Sequence, residues 1–523
     1  MTLDRRDLGC IALLIAVATI FFSDVLFAGS NFFFRDLFIY HFPMKRIVRD
    51  AMLGGELPYW NWSYSNGQPL AANPAYELFY PVQWLILVGS YRFGFALHII
   101  AHVYLALAGM YLLLREMTLG RAASTFGALS FGMGGLLLGS STMLPTFFVW
   151  ALAPMVAWSV LRAVREPSAA RIAIAALFAG MQLIIGEPVS TPQMWLLILI
   201  GALMVNRRRA VPVIAIVIVI AIALAAVQIV PAIDHTRDSA RARGLPFSNI
   251  REYALPVERP IELVVPHYYG VLTPFVIGFW GSSSFNRQAP YLYSIYNGIA
   301  IAILALAGLF LRARGALVTA LLAIASYILA IGDRTPLLRA LYDSGVARGV
   351  RYPEKFAAFG LAALTIFAAT ILDRVLSDDA RARRAAVIAA AIVVAISAIP
   401  FAWSITPGFV QSFITYWHLH AEQAVYVPLA RREWLIGLAI AGAAALLLAF
   451  LPRLPRRIWL LLGFTLVVID LVPLANELAP RMPAEFFTPP NVVAALQSDR
   501  SAHALMNRAD WRNYERNFKD IRG

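Results

Sequence analysis

Long apolar runs alternate with short polar connections along almost the entire chain. A helix needs roughly 20 mostly apolar residues to cross a bilayer. By that measure thirteen stretches predict spanning helices, near 9–28, 92–114, 122–138, 143–161, 172–186, 190–205, 211–231, 291–311, 316–331, 354–373, 385–403, 433–451 and 457–475. The fifth and sixth are short, with only Gly186-Glu187-Pro188 between them. The pattern predicts an all-α polytopic membrane protein, with a transmembrane domain over 1–475 and a short extracytoplasmic tail over 476–523. The first run reads as a retained helix, because it is long and Leu26, not a small residue, stands two places before Ala28.

Composition agrees with the pattern. The 523 residues are 60% hydrophobic and 14% charged, where a soluble domain is about 25% charged. So little polar surface cannot coat a soluble globule of this size. The single cysteine, Cys10, excludes an internal disulfide and a cysteine-based metal cluster.

The net charge of +14 gains meaning from where it sits. Every second connection is basic: Arg5 and Arg6; Arg115 and Arg121; Arg162, Arg165 and Arg171; Arg207 to Arg209; Arg312 and Arg314; Arg374, Arg381, Arg383 and Arg384; Arg453, Arg456 and Arg457. The short connections of opposite parity, 139–142 and 186–189, hold no Lys or Arg. The positive-inside rule then predicts a cytoplasmic N-terminus and an outer C-terminus. It also places every long loop outside: 29–91, 232–290, 332–353, 404–432 and the tail. Chemistry is expected on that outer face, away from ATP. A basic chain of this kind needs no nucleic acid to explain it. No P-loop, HExxH or GxSxG motif stands where it could act.

The first long loop is the richest. Pro43 suits a helix start and Gly54-Gly55 its end. Between them Met44, Ile47, Val48 and Ala51 share one face, while Lys45, Arg46, Arg49 and Asp50 share the other. This predicts a short amphipathic helix in the membrane–water interface. A rigid Pro-, Trp- and Asn-rich segment follows, including Trp62. Asp36 follows the first span directly, beside Arg35. A carboxylate at the membrane boundary is costly unless paired or solvated. It reads either as a salt-bridged cap or as a base or metal ligand facing a lipid-linked substrate. Asp24, Glu56 and Glu77 read as surface or helix-end residues.

The run Asp36…Tyr40…Pro43…Gly55-Glu56-Leu57-Pro58…Trp60-Asn61…Gly67…Pro69…Asn73-Pro74…Tyr80-Pro81 resembles the first outer loop of YfhO-type bacterial membrane proteins, within the GT-C glycosyltransferase superfamily. Gly186-Glu187-Pro188 resembles that family's Gly-His-Pro element, with Glu187 in place of histidine. Pro266…Gly270, Tyr296-Asn297-Gly298, Gly332-Asp333-Arg334-Thr335-Pro336 and Arg351-Tyr352-Pro353-Glu354-Lys355-Phe356 resemble later elements in the same order. The resemblance covers about 30–500. Many members continue further, so the tail from Glu477 reads as a shortened or truncated outer domain.

The resemblance implies a GT-C-like bundle in the bacterial inner membrane. It implies transfer of a sugar from a polyprenyl-phosphate carrier to an envelope glycan, lipid or protein on the outer face. Such a site needs a carboxylate for the acceptor's proton, cations for the departing phosphate and an apolar groove for the prenyl chain. Asp36 matches the family's acidic position. Glu187 is a second carboxylate that could complete a pair with it, with or without a divalent metal ion. Arg351 and Lys355, one helical turn apart, suit a phosphate clamp, and Glu354 adjoins them. Tyr40, His41, Asn61 and Asn73 complete the candidates. Within 232–290, Asp234, His235, Arg237, Arg241, Arg243, Arg251 and Arg259 read as a solvated face or a lid. His267 and the pair His418/His420 lack metal-ligand spacing. The rival readings are a lipid-linked glycan flippase or exporter, an outer-face polymerase or ligase, and a non-catalytic assembly factor.

Overall fold

The computed structural model describes residues 3–61, 67–237, 239, 242, 244–272, 277–286 and 289–488. Trp62, Arg241, Arg243 and the tail beyond 488 lie outside the described residues. The chain divides into two compact units, 1–481 and 482–523. The described part of the second contains one 3-10 turn, Ala484–Phe487.

The first unit is a helical bundle. Its principal helices are α1 (Arg5–Phe21), α2 (Phe42–Leu53), α3 (Tyr91–Glu116), α4 (Arg121–Met133), α5 (Leu144–Arg165), α6 (Ala169–Ile185), α7 (Ser190–Val205) and α8 (Arg207–Arg237). They continue with α9 (Ile299–Phe310), α10 (Ala316–Ala330), α11 (Ala357–Leu376), α12 (Ala380–Ser404), α13 (Tyr426–Phe450) and α14 (Arg456–Leu478). Each of the thirteen apolar stretches holds a helix. Among the described residues, seven helical segments are long and apolar enough to cross a membrane, at 91–116, 144–165, 207–237, 353–376, 380–404, 421–453 and 456–478.

Local chemistry sets the starts. Asp4 accepts from the Arg6 and Asp7 amides at the head of α1. Ser90, Ser168 and Asp379 cap α3, α6 and α12 in the same way, each occupying amide donors that a helix start leaves free. Helices α3 to α8 pack as one group and α9 to α14 as another, with α4 touching α3, α11 and α14 and so joining them.

The basic connections gather at one end of the bundle. Arg115 and Arg121 both reach Asp7, at 2.9 Å and 3.2 Å. Arg165 bonds Glu116 at 2.6 Å, Arg209 donates to the Arg165 carbonyl, and the Gly120 amide donates to Asp373. Turns separated by hundreds of residues are thus stitched together at what we call the arginine end.

Two predicted spans depart from expectation. The stretch 122–138 breaks at Gly134 into α4 and a single further turn, Gly135–Leu138. The stretch 291–311 is helical only from Ile299; residues 289–298 are irregular and almost wholly buried. The two departures have one cause. Gly135 donates to the Tyr296 carbonyl at 2.7 Å, Tyr293 donates to the Gly139 carbonyl at 3.1 Å, and Asn297 accepts from Leu136 at 2.9 Å. A Cβ on Gly135 would stand 2.8 Å from the carbonyls of both Ser294 and Tyr296. Glycine lets this irregular segment lie against the turn. Non-helical backbone at this depth is tolerable because neighbouring protein satisfies it.

Candidate functional site

At the end opposite the arginine turns, four tyrosines meet. Tyr291 stacks on Tyr352 with ring centroids 5.1 Å apart, and Tyr253 stands edge-on to both, at 6.1 Å and 5.0 Å. Three cations lie over these rings. Arg35 is 5.9 Å from the Tyr253 centroid and 5.2 Å from that of Tyr293. Arg351 is 4.5 Å above Tyr352. Lys355 is 5.1 Å from Tyr291 and 5.6 Å from Tyr352. Each contact draws a cation to the negative face of a ring. The tyrosines therefore link the Asp36 corner to the Arg351–Lys355 corner.

The backbone here is forced. Arg35, Tyr253 and Tyr352 all have left-handed φ, at 47°, 56° and 63°. Side-chain-bearing residues adopt that region at a cost, and such outliers gather at functional sites.

Each candidate has a definite place. Asp36 is exposed and forms no ion pair among the described residues. The crowding of its carboxyl nevertheless pushes its pKa up, and the Arg35 charge opposes that shift. The Arg35 guanidinium donates to the Pro290 carbonyl at 2.9 Å. Lys355 donates to Glu187 at 2.6 Å, with both side chains buried. Glu187 also accepts from the Val189 and Ser190 amides, so it closes its own turn as well. Gly186 makes that turn possible: its φ is 69°, and a Cβ would strike Pro74 at 2.5 Å. This contact brings the first loop beside Glu187.

Arg351 and Lys355 do not share a helical face. Tyr352 turns left-handed, Pro353–Phe356 is a 3-10 turn, and the regular helix starts only at Ala357. The two cations flank the Tyr352 ring, with Arg351 paired to Glu252 at 2.9 Å. Glu354 faces the other way, fully buried, accepting from the Tyr291 amide at 2.7 Å and lying 3.7 Å from Arg259. Burial pushes the Tyr352 phenol pKa up. This ring remains a neutral donor at ordinary pH.

No family model matches this chain, and no curated protein matches it. Its chemistry is therefore read from its own side chains.

Tyr40, His41, Asn61 and Asn73 hold the first loop together. Asn61 donates to the Tyr76 hydroxyl at 2.8 Å, and Asn73 caps its own turn and reaches the Tyr40 hydroxyl at 3.3 Å. His41 is buried beside Lys45 and Glu77, and burial together with the Lys45 charge lowers its pKa to about 3.

The expectation for α2 needs correction at Lys45. Its ammonium does not face water: it is fully buried, 2.9 Å from Glu77 and 2.5 Å from Gln83. Glu77 is no surface residue either. It ends the Pro74–Tyr76 turn with a left-handed φ of 55° and meets His98 at 3.1 Å. Against the cost of burial, Lys45 and His98 hold the Glu77 pKa down at about 2. The helix is amphipathic, but its loop supplies a carboxylate that draws one lysine inward.

Arg259, expected on a solvated face or a lid, is 1% exposed. It pairs with Glu262 at 2.5 Å and lies 4.8 Å over Phe285. His267 bridges Glu433 and Glu477, each at 2.9 Å. Those two carboxylates outweigh the effect of burial and raise its pKa to about 10. His98 and His102, one turn apart in an apolar run, and Tyr-x-Tyr at 291–293 are patterns that could have signalled buried polarity. Among the described residues, no group of three His, Cys, Asp or Glu side chains could hold a metal ion.

Proposed function

We propose that this chain is a membrane glycosyltransferase. It passes a sugar from a polyprenyl-phosphate carrier to an envelope acceptor, on the face opposite the arginine end. In this reading the chain crosses the bacterial inner membrane thirteen times, with its N-terminus cytoplasmic and its C-terminus outside. The supporting observation is the convergence of Arg35, Arg351 and Lys355 on four tyrosines beside Asp36. The resemblance of the loop motifs points the same way.

The chemistry then has a place for each charge. The acceptor hydroxyl oxygen bonds to the anomeric carbon as the bond from that carbon to the phosphate oxygen breaks. Asp36 takes the acceptor's proton; a carboxylate with a raised pKa is the better base. The leaving phosphate gains negative charge, which Arg35, Arg351 and Lys355 offset. The rings of Tyr253 and Tyr352, which are only partly buried, suit a sugar's apolar C–H edges. Glu187 holds Lys355 in position between turnovers.

The test is transfer from a polyprenyl-phosphate sugar by purified protein in nanodiscs. Asp36→Asn should lower the rate on the order of 100-fold or more, as loss of a general base does, and leave donor binding in place. Undiminished transfer by Asp36→Asn would sink the assignment. Movement of whole glycan chains would make the protein a polymerase or ligase, and carrier translocation without transfer would make it a flippase.

A further inference from the structure

A second site lies far from the tyrosines. A cavity of about 850 Å³ sits among α1, α4, α9, α11, α13 and α14, walled mainly by apolar side chains. Its size is that of a pocket for a substantial ligand. Two of its wall residues, Leu13 and Leu461, are exposed on the outside of the bundle, so it opens sideways, toward the surface that faces lipid. At the arginine end its mouth carries Arg121 and Arg456. Arg121 is held by Asp4 and Asp7. Arg456 is exposed and has no ion pair with a described residue, and Arg453 and Arg457 stand near it in sequence. At the far end is Asp470.

The dimensions indicate the occupant. Arg456 and Asp470 both lie on α14, fourteen residues apart, or about 21 Å at 1.5 Å per residue. One leaflet contributes about half of a hydrocarbon core of roughly 30 Å. A groove of that length takes one extended acyl chain, with the headgroup left at the arginine mouth. The free positive charge there selects a headgroup of net negative charge.

We infer that this groove is a binding site for an anionic phospholipid, its acyl chain along α14 and its phosphate against Arg456. The deep end bears on the rest of the fold. Asp470 accepts from the Tyr296 hydroxyl at 2.6 Å and from the Ile299 amide at 2.9 Å. A lipid in the groove therefore packs beside the anchor of the buried segment that carries Tyr291 and Tyr293. The inference does not depend on the transferase reading.

Native mass spectrometry of the full chain, equilibrated with equal phosphatidylglycerol and phosphatidylethanolamine, tests it. The wild type should retain at least threefold more phosphatidylglycerol. Arg456→Gln should bring the two lipids to parity. Gly463→Leu should cut total retention at least threefold, because a Cβ there meets its nearest atoms at an ordinary 3.6 Å and the longer side chain fills the groove. Equal retention by the wild type, or a preference that Arg456→Gln leaves intact, overturns the proposal; so does displacement of phosphatidylglycerol by equimolar polyprenyl phosphate. If Gly463→Leu fails to fold, the wild type and Arg456→Gln alone decide.

Discussion

Glu187 and Lys355 stand 168 positions apart and close a buried ion pair at 2.6 Å. The pair ties the turn between α6 and α7 to the head of α11, and Lys355 also faces two of the site's tyrosines. Removing one partner strands the other's charge, which costs about 3–5 kcal/mol at a buried pair. Lys355→Met should therefore lower the melting temperature sharply, and Glu187→Gln somewhat less, because the glutamine still serves the Val189 and Ser190 amides. The double variant should recover much of the loss. Strictly additive losses in thermal melts would show that the residues do not act as a pair.

Gly135→Ala tests the packing of 289–298 on glycine. The new methyl would meet two backbone carbonyls at 2.8 Å, and backbone cannot swing aside as a side chain can. Overpacking of this kind costs about 1–3 kcal/mol. Gly463→Ala, in open packing, should stay within about 0.5 kcal/mol of wild type. Equal melting temperatures for the two variants would refute the account.

Stability should fall on both sides of neutrality. His41 has its pKa lowered to about 3, so the unfolded chain takes up protons below about 6.5 while the native fold resists them. That contribution is present above 6.5 and is lost as pH falls toward 3. Glu77, held at about 2, adds a further loss below about 4.5. His267 runs oppositely: raised to about 10, it stabilises below 6.5 and loses its contribution as pH climbs to 10. Melting temperature against pH should show both limbs. His267→Gln should flatten the alkaline limb and His41→Phe part of the acid one; an alkaline limb unchanged in His267→Gln contradicts the assignment.

Arg35→Lys keeps the charge and loses the flat guanidinium that lies over Tyr253 and Tyr293 while bonding Pro290. Lysine cannot make all of these contacts at once. Under the proposed function, transfer should drop roughly tenfold, about 1.4 kcal/mol in barrier, with the melting temperature nearly unchanged. A large fall in melting temperature with normal transfer would make Arg35 a structural residue.

Much of the architecture was legible in the residue order. Long apolar runs mark helices because backbone in lipid must satisfy its own hydrogen bonds within the segment, and short-range chemistry such as Asp4 or Ser90 sets where they begin. The grouping of the arginine turns followed from parity. Lys45 was misread because helical position alone put it with Arg46 and Arg49, while the carboxylate that draws it inward comes from residue 77. Arg259 looked like one charge in a basic loop; its partners Glu262 and Glu354, and the ring of Phe285, become visible only once the loop is folded.

The residue order alone determined an all-α chain with thirteen apolar helical stretches and alternate basic connections, because hydrophobic periodicity and loop charge are local properties. The tertiary structure decided which polar groups meet. It turned 289–298 into a buried irregular segment against Gly135, paired Glu187 with Lys355, and gathered Tyr253, Tyr291, Tyr293 and Tyr352 around three cations. Those outcomes depend on close approach between distant segments, where a missing Cβ or an opposing charge sets the contact, and no local pattern encodes the partner.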